Sequence, residues 1–384
     1  MQRPAGERSG ILQRLMMSLS GIAISAMVLL ISGCGQFFVP ENNNSGGTTG
    51  SNRVYVANAT TNSIAAFTIG TSALSTVSGS PFALGYSPIA AVVTPSNSFL
   101  YVAGPDAIYG YTINSDGSLS AVSGGPGVAA ITVSALEISP DGKWLFGLDS
   151  LSQAVDEYQI NTSTGALTGV TPVAYSFKSG IWLPRALKVS PSGGYLFAAL
   201  GTAGDVVFTF NTSTGALAQS QTLGLDSQTS DNALAVDSTS SYLYIARSGT
   251  SGGVAVYTIG ASGTLNSITG SPFTAGQQPF SLAINSSGKY IYAANRTDGT
   301  ISGYAIGTGS VLTVLTGSPY AAGNLVTSLA VDKTGTYLLA GANGGSPDLS
   351  MYTFDSTTAG KLNLATSTTT GTDPTGVIAV AATH

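Results

Sequence analysis

The sequence predicts an all-β fold, a seven-bladed β-propeller of four-stranded antiparallel blades closed by its C-terminal strand. Three observations predict it: a repeat of nearly constant length, strand patterning throughout, and a first repeat whose missing part stands at the other terminus. An aromatic-rich strand recurs as Val54-Tyr55-Val56, Leu100-Tyr101-Val102, Leu145-Phe146-Gly147, Leu196-Phe197-Ala198, Leu243-Tyr244-Ile245, Ile291-Tyr292-Ala293 and Leu338-Leu339-Ala340. The central residues of these strands lie 46, 45, 51, 47, 48 and 47 positions apart, so seven copies cover residues 52–384.

Within a copy the order is fixed. An apolar run such as Leu234-Ala235-Val236 comes first, then a turn such as Pro140-Asp141-Gly142, then the aromatic strand. A third, alternating strand follows, as in Val254-Ala255-Val256-Tyr257-Thr258-Ile259. A turn spelled Asn161-Thr162-Ser163-Thr164-Gly165, and again Asn211-Thr212-Ser213-Thr214-Gly215, leads to a fourth segment ending near Gly270-Ser271-Pro272-Phe273 or its equivalents. Period-2 patterning bounded by Gly, Pro, Asn and Ser is a strand signal, and nothing here repeats at 3.6. Four strands of about six residues with ordinary connections fill such a period, which is the size of one propeller blade. Leucine-rich and helical repeats are excluded by the same arithmetic. A lone four-stranded sheet cannot hide both faces, so neighbouring blades must cover each other.

The ends support closure. The first copy begins with its aromatic strand, Arg53 to Asn58, and lacks an apolar run before it. That run appears as Val377-Ile378-Ala379-Val380, after Asp373-Pro374-Thr375. The C-terminal strand is therefore expected to be the innermost strand of the first blade, removing an open edge.

Composition narrows the chemistry. The chain has 384 residues, 8% charged, and a formal net charge of −5, which offers no cationic surface to nucleic acid. One Cys excludes an internal disulfide, and the one His, His384, makes most His-dependent chemistry improbable. No cofactor and no metal site is expected. The Asp-Gly pairs Asp116-Gly117, Asp141-Gly142 and Asp298-Gly299 lack the carboxylate spacing of a calcium loop and read as turns.

Residues 1–33 read as a lipoprotein signal peptide: Arg3, Arg8 and Arg14 outweigh Glu7, and Leu15 to Ile31 are uninterrupted by charge. The stretch ends in Ile31-Ser32-Gly33-Cys34, which resembles the lipobox of bacterial lipoproteins and implies lipidation at Cys34. Residues 34–51 then form the lipidated Cys and a flexible tether, and residues 52–384 the propeller. The expected partner is the membrane, through the lipid at Cys34. Gly35 after the Cys implies the outer membrane of a Gram-negative bacterium, so the expected address is the cell envelope.

The Tyr55-Val56-Ala57-Asn58, Ser139-Pro140-Asp141-Gly142-Lys143 and Gly-Ser-Pro-Phe segments resemble the lactonase-type seven-bladed propellers, a superfamily that includes the YVTN-repeat surface proteins. The resemblance covers residues 52–384. It implies hydrolysis of 6-phosphogluconolactone in one branch and cycloisomerisation in another, with His, Arg and Glu at one mouth of the central channel. The repeats here contain no His before His384, and the Glu residues beyond the signal are Glu41, Glu137 and Glu157. The family's catalytic residues therefore find no matching positions.

In such a fold the loops leading into the innermost strands and those after the second strands ring one mouth, the default ligand site. The first set holds Tyr86, Trp182, Arg185, Asp231, Asn232, Gln277, Gln278, Phe280 and Asn324; the second holds Asn58, Asp106, Asp149, Arg247, Asn295, Arg296 and Asn343. Trp182, Arg185, Asp231, Asn232, Arg247, Asn295, Arg296, Asp106 and Asp149 are the ligand-binding candidates. The leading expectation is a lipid-anchored module that binds a protein, carbohydrate or small molecule at this mouth. The alternative is a lactonase-like hydrolase acting on a sugar lactone with Arg185, Arg247, Arg296, Asp149 and Asp231. Glu137 and Lys188 occupy one innermost-strand position in adjacent blades and are expected to pair, the other reading being a catalytic Glu of raised pKa.

Overall fold

The computed structural model describes residues 52–122, 129–345, 347–371 and 377–384. Cys34, the tether and Asp373-Pro374-Thr375 lie outside these residues. The described chain forms seven antiparallel four-stranded sheets, here blades one to seven. Their innermost strands are Val377–Ala382, Ala90–Val93, Val133–Ile138, Trp182–Val189, Thr229–Val236, Pro279–Ile284 and Val326–Val331. Each neighbours the next in that order, and the last neighbours the first, which closes the ring. Val377–Ala382 pairs antiparallel with Arg53–Asn58, so the C-terminal strand does complete blade one. These inner strands are almost wholly buried because each is covered on both faces by its neighbours.

Two details were not legible beforehand. After the outermost strand, short segments such as Phe82–Ala83 and Tyr320–Ala321 turn back and pair with the third strand of the same blade. Blades four and five are also joined into one sheet by pairing of Gly201 with Asp231.

The recurrent aromatic position has a specific purpose. Tyr55, Tyr101 and Tyr292 donate their hydroxyls to the carbonyls of Gly117, Gly165 and Gly360, and Tyr244 bonds Ser310 Oγ. Each acceptor sits in the outer hairpin turn of the following blade. Burial pushes the Tyr55 phenol up to about 12, so it stays a donor. Where the position is Phe146 or Leu339 the bond comes from two residues earlier: Trp144 Nε1 donates to Thr212 O at 2.9 Å, and Tyr337 Oη accepts from Ser72 N at 3.2 Å. Tyr292→Phe leaves the Gly360 carbonyl without this donor, and a loss of about 1 kcal/mol is expected. Urea unfolding checks it; a stability equal to wild type would show the latch idle.

Glu137 and Lys188 pair across blades three and four, Lys188 Nζ donating to Glu137 Oε1 at 2.9 Å. Burial raises the carboxyl and lowers the ammonium, and the partner opposes both shifts. The same oxygen accepts from Val189 N at 3.3 Å, so this Glu is engaged structurally.

In blades three to seven and in blade one the innermost ladder carries a bulge near the mouth end, as between Asp231 and Ala233 or between Pro279 and Ser281. A bulge leaves one residue unpaired and re-aims its side chain. Trp182, Asp231, Asn232 and Phe280 are therefore strand residues at bulges, where loops were expected from the sequence. Arg247, Asn295 and Asp149 likewise lie at the ends of second strands, in Tyr242–Gly249, Tyr290–Asn295 and Trp144–Asp149.

Candidate functional site at the channel mouth

Asp231 and Arg247 face each other across the blade-five ladder, which places a carboxylate and a guanidinium in register. Arg247 Nε donates to Asp231 Oδ1 at 2.6 Å and Nη2 to Oδ2 at 2.7 Å, a bidentate pair that is buried. Arg247 Nη2 also donates to Tyr257 Oη at 3.2 Å. Burial works against the Arg247 cation, and the bonds and charge of Asp231 more than offset it, so its pKa is raised.

Asp205 of blade four enters the same cluster. It is buried, and neither of its oxygens meets an ordinary donor among the described residues. Burial first and the Asp231 carboxylate second push its pKa well above the usual carboxylate range. One position earlier in blade seven, Asp348 is satisfied by Thr370, whose N and Oγ1 each donate at 2.7 Å.

Asn232, the bulged residue, carries this cluster's rigidity outward. Its Nδ2 donates to Ser248 Oγ at 3.1 Å in its own blade and to Pro279 O at 3.0 Å in blade six. Between these two blades the rim opens into a cavity of about 700 Å³ whose walls include Ser248, Gly276, Gln277, Gln278, Thr297 and Asp298. Its walls are pinned from behind. Asn295 is buried, accepts from Gly276 N at 3.1 Å and donates to Thr300 Oγ1 and Ser302 Oγ. Asp298 Oδ2 accepts from Gln277 N at 2.6 Å. Thr297 Oγ1 donates to Gln278 Oε1 at 3.1 Å, which fixes that amide with its NH₂ as the remaining donor group. A Cβ on Gly276 would stand 2.5 Å from Asp298 Oδ2, so only glycine lets the two loops approach this closely.

The other candidates are distributed around the ring. Arg296 is half-buried with its guanidinium over the Phe280 ring, 5.3 Å from the centroid. Trp182 Nε1 donates to Tyr175 Oη at 3.0 Å, and Arg185 is half-buried in the bulge of the same strand. Asp106 is exposed on blade two and accepts from Tyr109 Oη at 3.0 Å. Asp149 caps its own loop, accepting from Leu151 N at 2.6 Å, Ser152 N at 2.9 Å and Ser152 Oγ.

Sequence reasoning passed over four acids. Asp298 reads as half of a turn pair, and Gly299 does take a positive φ of 62°, yet the carboxylate also lines the cavity. Asp205 stands at the head of Val206-Val207-Phe208, and an acid opening a run destined for burial was the available signal. Asp156 is buried, and its carboxyl is pushed up to about 7 by that burial and by Asp149. Glu157, on the opposite face of the strand, also reaches about 7 through burial. Among the described residues no three His, Cys, Asp or Glu side chains gather as a metal site.

Fold and mouth together define a propeller with a polar cavity on its rim. The sequence matches the lactonase family of seven-bladed β-propellers over residues 112–229, 204–328 and 239–381, and the chain belongs to that family. Among solved structures it is similar to a candidate 6-phosphogluconolactonase from Bacteroides uniformis, at 17% identity over 86% of this chain and 99% of that one, with a TM-score of 0.71. A second candidate 6-phosphogluconolactonase, from Bacteroides fragilis, shares 16% identity over 89% and 100%, with a TM-score of 0.70. The periplasmic gluconolactonase of Pseudomonas aeruginosa shares 16% over 85% and 99%, with a TM-score of 0.64. These likenesses speak to the fold. Among curated proteins none matches the sequence.

Proposed function

We infer that the protein is a sugar-lactone hydrolase whose site is the cavity between blades five and six. Membership of the lactonase family supports the reaction class, and one observation supports the place: a carboxylate, Asp298, and the amides of Gln277 and Gln278 converge on a cavity large enough for a monosaccharide. In this reading Asp298 takes a proton from water as its oxygen bonds to the lactone carbonyl carbon. The side-chain amides donate to the developing oxyanion. The tetrahedral intermediate collapses with cleavage of the bond to the ring oxygen, which recovers the proton from Asp298, and the product is the open hydroxy acid. Asn295 and Asn232 act behind the walls, holding the loops that carry these groups.

The lipid anchor at Cys34 remains part of the proposal and would hold this activity at the cell envelope. Glucono-1,5-lactone ring opening by the purified protein, followed as acid release, tests the reading. Turnover should fall on the order of a hundredfold or more in Asp298→Asn, the typical contribution of a positioned base. Saturable binding of the lactone without turnover would return the protein to the class of binding modules.

A further inference from the structure

Resting on that reading, we propose that the cavity takes an uncharged polyhydroxylated lactone and discriminates against its phosphorylated counterpart. The argument is one of charge. The single ionisable side chain on the cavity wall is acidic, Asp298, and its other polar side chains are the amides of Gln277 and Gln278 and the hydroxyls of Ser248 and Thr297. Amides and hydroxyls both donate and accept, which suits the hydroxyls of a sugar ring. A phosphate monoester carries between one and two negative charges at neutral pH and is recognised through cationic or backbone donors.

The nearest cations lie off the cavity wall. Arg247 lies behind Ser248, and both arms of its fork are held by buried Asp231. Arg296 immediately precedes Thr297, but its guanidinium lies over the Phe280 ring and does not line the cavity. Two of the wall's backbone donors are also occupied: Gly276 N is given to Asn295 and Gln277 N to Asp298 itself. A phosphate in the cavity would face the Asp298 carboxylate, in a chain whose net charge is already −5.

The experiment pairs turnover with binding. Specificity constants are measured for glucono-1,5-lactone and its 6-phosphate, and calorimetric affinities for 1,5-anhydroglucitol and its 6-phosphate, ligands with no ester to hydrolyse. The neutral member of each pair should be favoured at least tenfold, and the gap should narrow at high salt. In Asp298→Lys the binding preference should shrink or invert, a readout independent of catalysis. Preference for the phosphorylated members would overturn this inference and leave the hydrolase reading standing. No turnover, with the neutral glucitol still favoured, would end the hydrolase reading and leave the ligand class. Binding of neither glucitol, or a preference unaltered in Asp298→Lys, would overturn the inference.

Discussion

Deleting residues 377–384 lowers the melting temperature more than any single substitution in the molecule. Ile378 and Val380 are buried in two different apolar clusters, the first shared with blade two and the second with blade seven. Exposing those two side chains alone costs roughly 3–6 kcal/mol, against a total domain stability of about 5–15 kcal/mol. The deletion also removes the ladder to Arg53–Asn58 and the clamp in which Asn97 and His384 exchange hydrogen bonds at 2.7 and 2.8 Å. Acid should weaken the same element in the intact protein. Burial, with Lys188 and Lys333 nearby, lowers the His384 pKa to about 4 from 6.5. A neutral His in the fold contributes stability that is present above the unfolded value and lost as pH falls through the folded one. Thr383 N bonds Arg53 O at 2.9 Å, so joining the strand directly ahead of Arg53 in a circular permutant should restore the melting temperature. A deletion variant that melts like the parent would refute closure.

Arg247→Met is the second large effect. Removing one member of a buried ion pair leaves its partner unpaired, and a loss of roughly 3–5 kcal/mol is expected. Asp231 then faces Asp205 with no cation between them. Asp205, already raised by burial and by the Asp231 carboxylate, then loses the opposing Arg247 charge, so the stability it allows is present at low pH and lost as pH rises through its folded pKa. The variant's deficit relative to the parent should therefore be larger at pH 8 than near pH 5. Guanidinium unfolding at the two pH values reads this directly, and a pH-independent deficit would mean that the acids do not interact.

How far the molecule was legible follows from which signals are local. Tyr55, Tyr101, Tyr244 and Tyr292 repeat because each must reach the turn of the next blade, so a requirement between blades leaves a period within the chain. Val377 to Val380 could be placed for the same reason, since blade one visibly lacked an inner strand. The candidate site was less legible. Asp231 and Arg247 could be named from their repeat positions, but their pairing depends on the register before the bulge at Asn232, which no periodicity encodes. Asp205 joins them from another blade, some 26 positions earlier than Asp231. The cavity is made by gaps between loops, and a turn pair such as Asp298-Gly299 looks the same whether or not its carboxylate faces one.

The tyrosine latches have one further consequence. Six of the seven seams carry a ring-to-turn bond, from Tyr55, Tyr101, Trp144, Tyr244, Tyr292 or Tyr337. The seventh seam, between blades four and five, has Phe197 at that position and no hydroxyl to offer. It is fastened by the backbone pairing of Gly201 with Asp231 within, and by Gln221, whose Oε1 accepts from Leu265 N at 2.7 Å, on the outside. The circle thus has a clasp, held by backbone pairing and one amide where every other seam carries a ring-to-turn bond. Pulling or heating should part the molecule there first, across blade five from its own cavity.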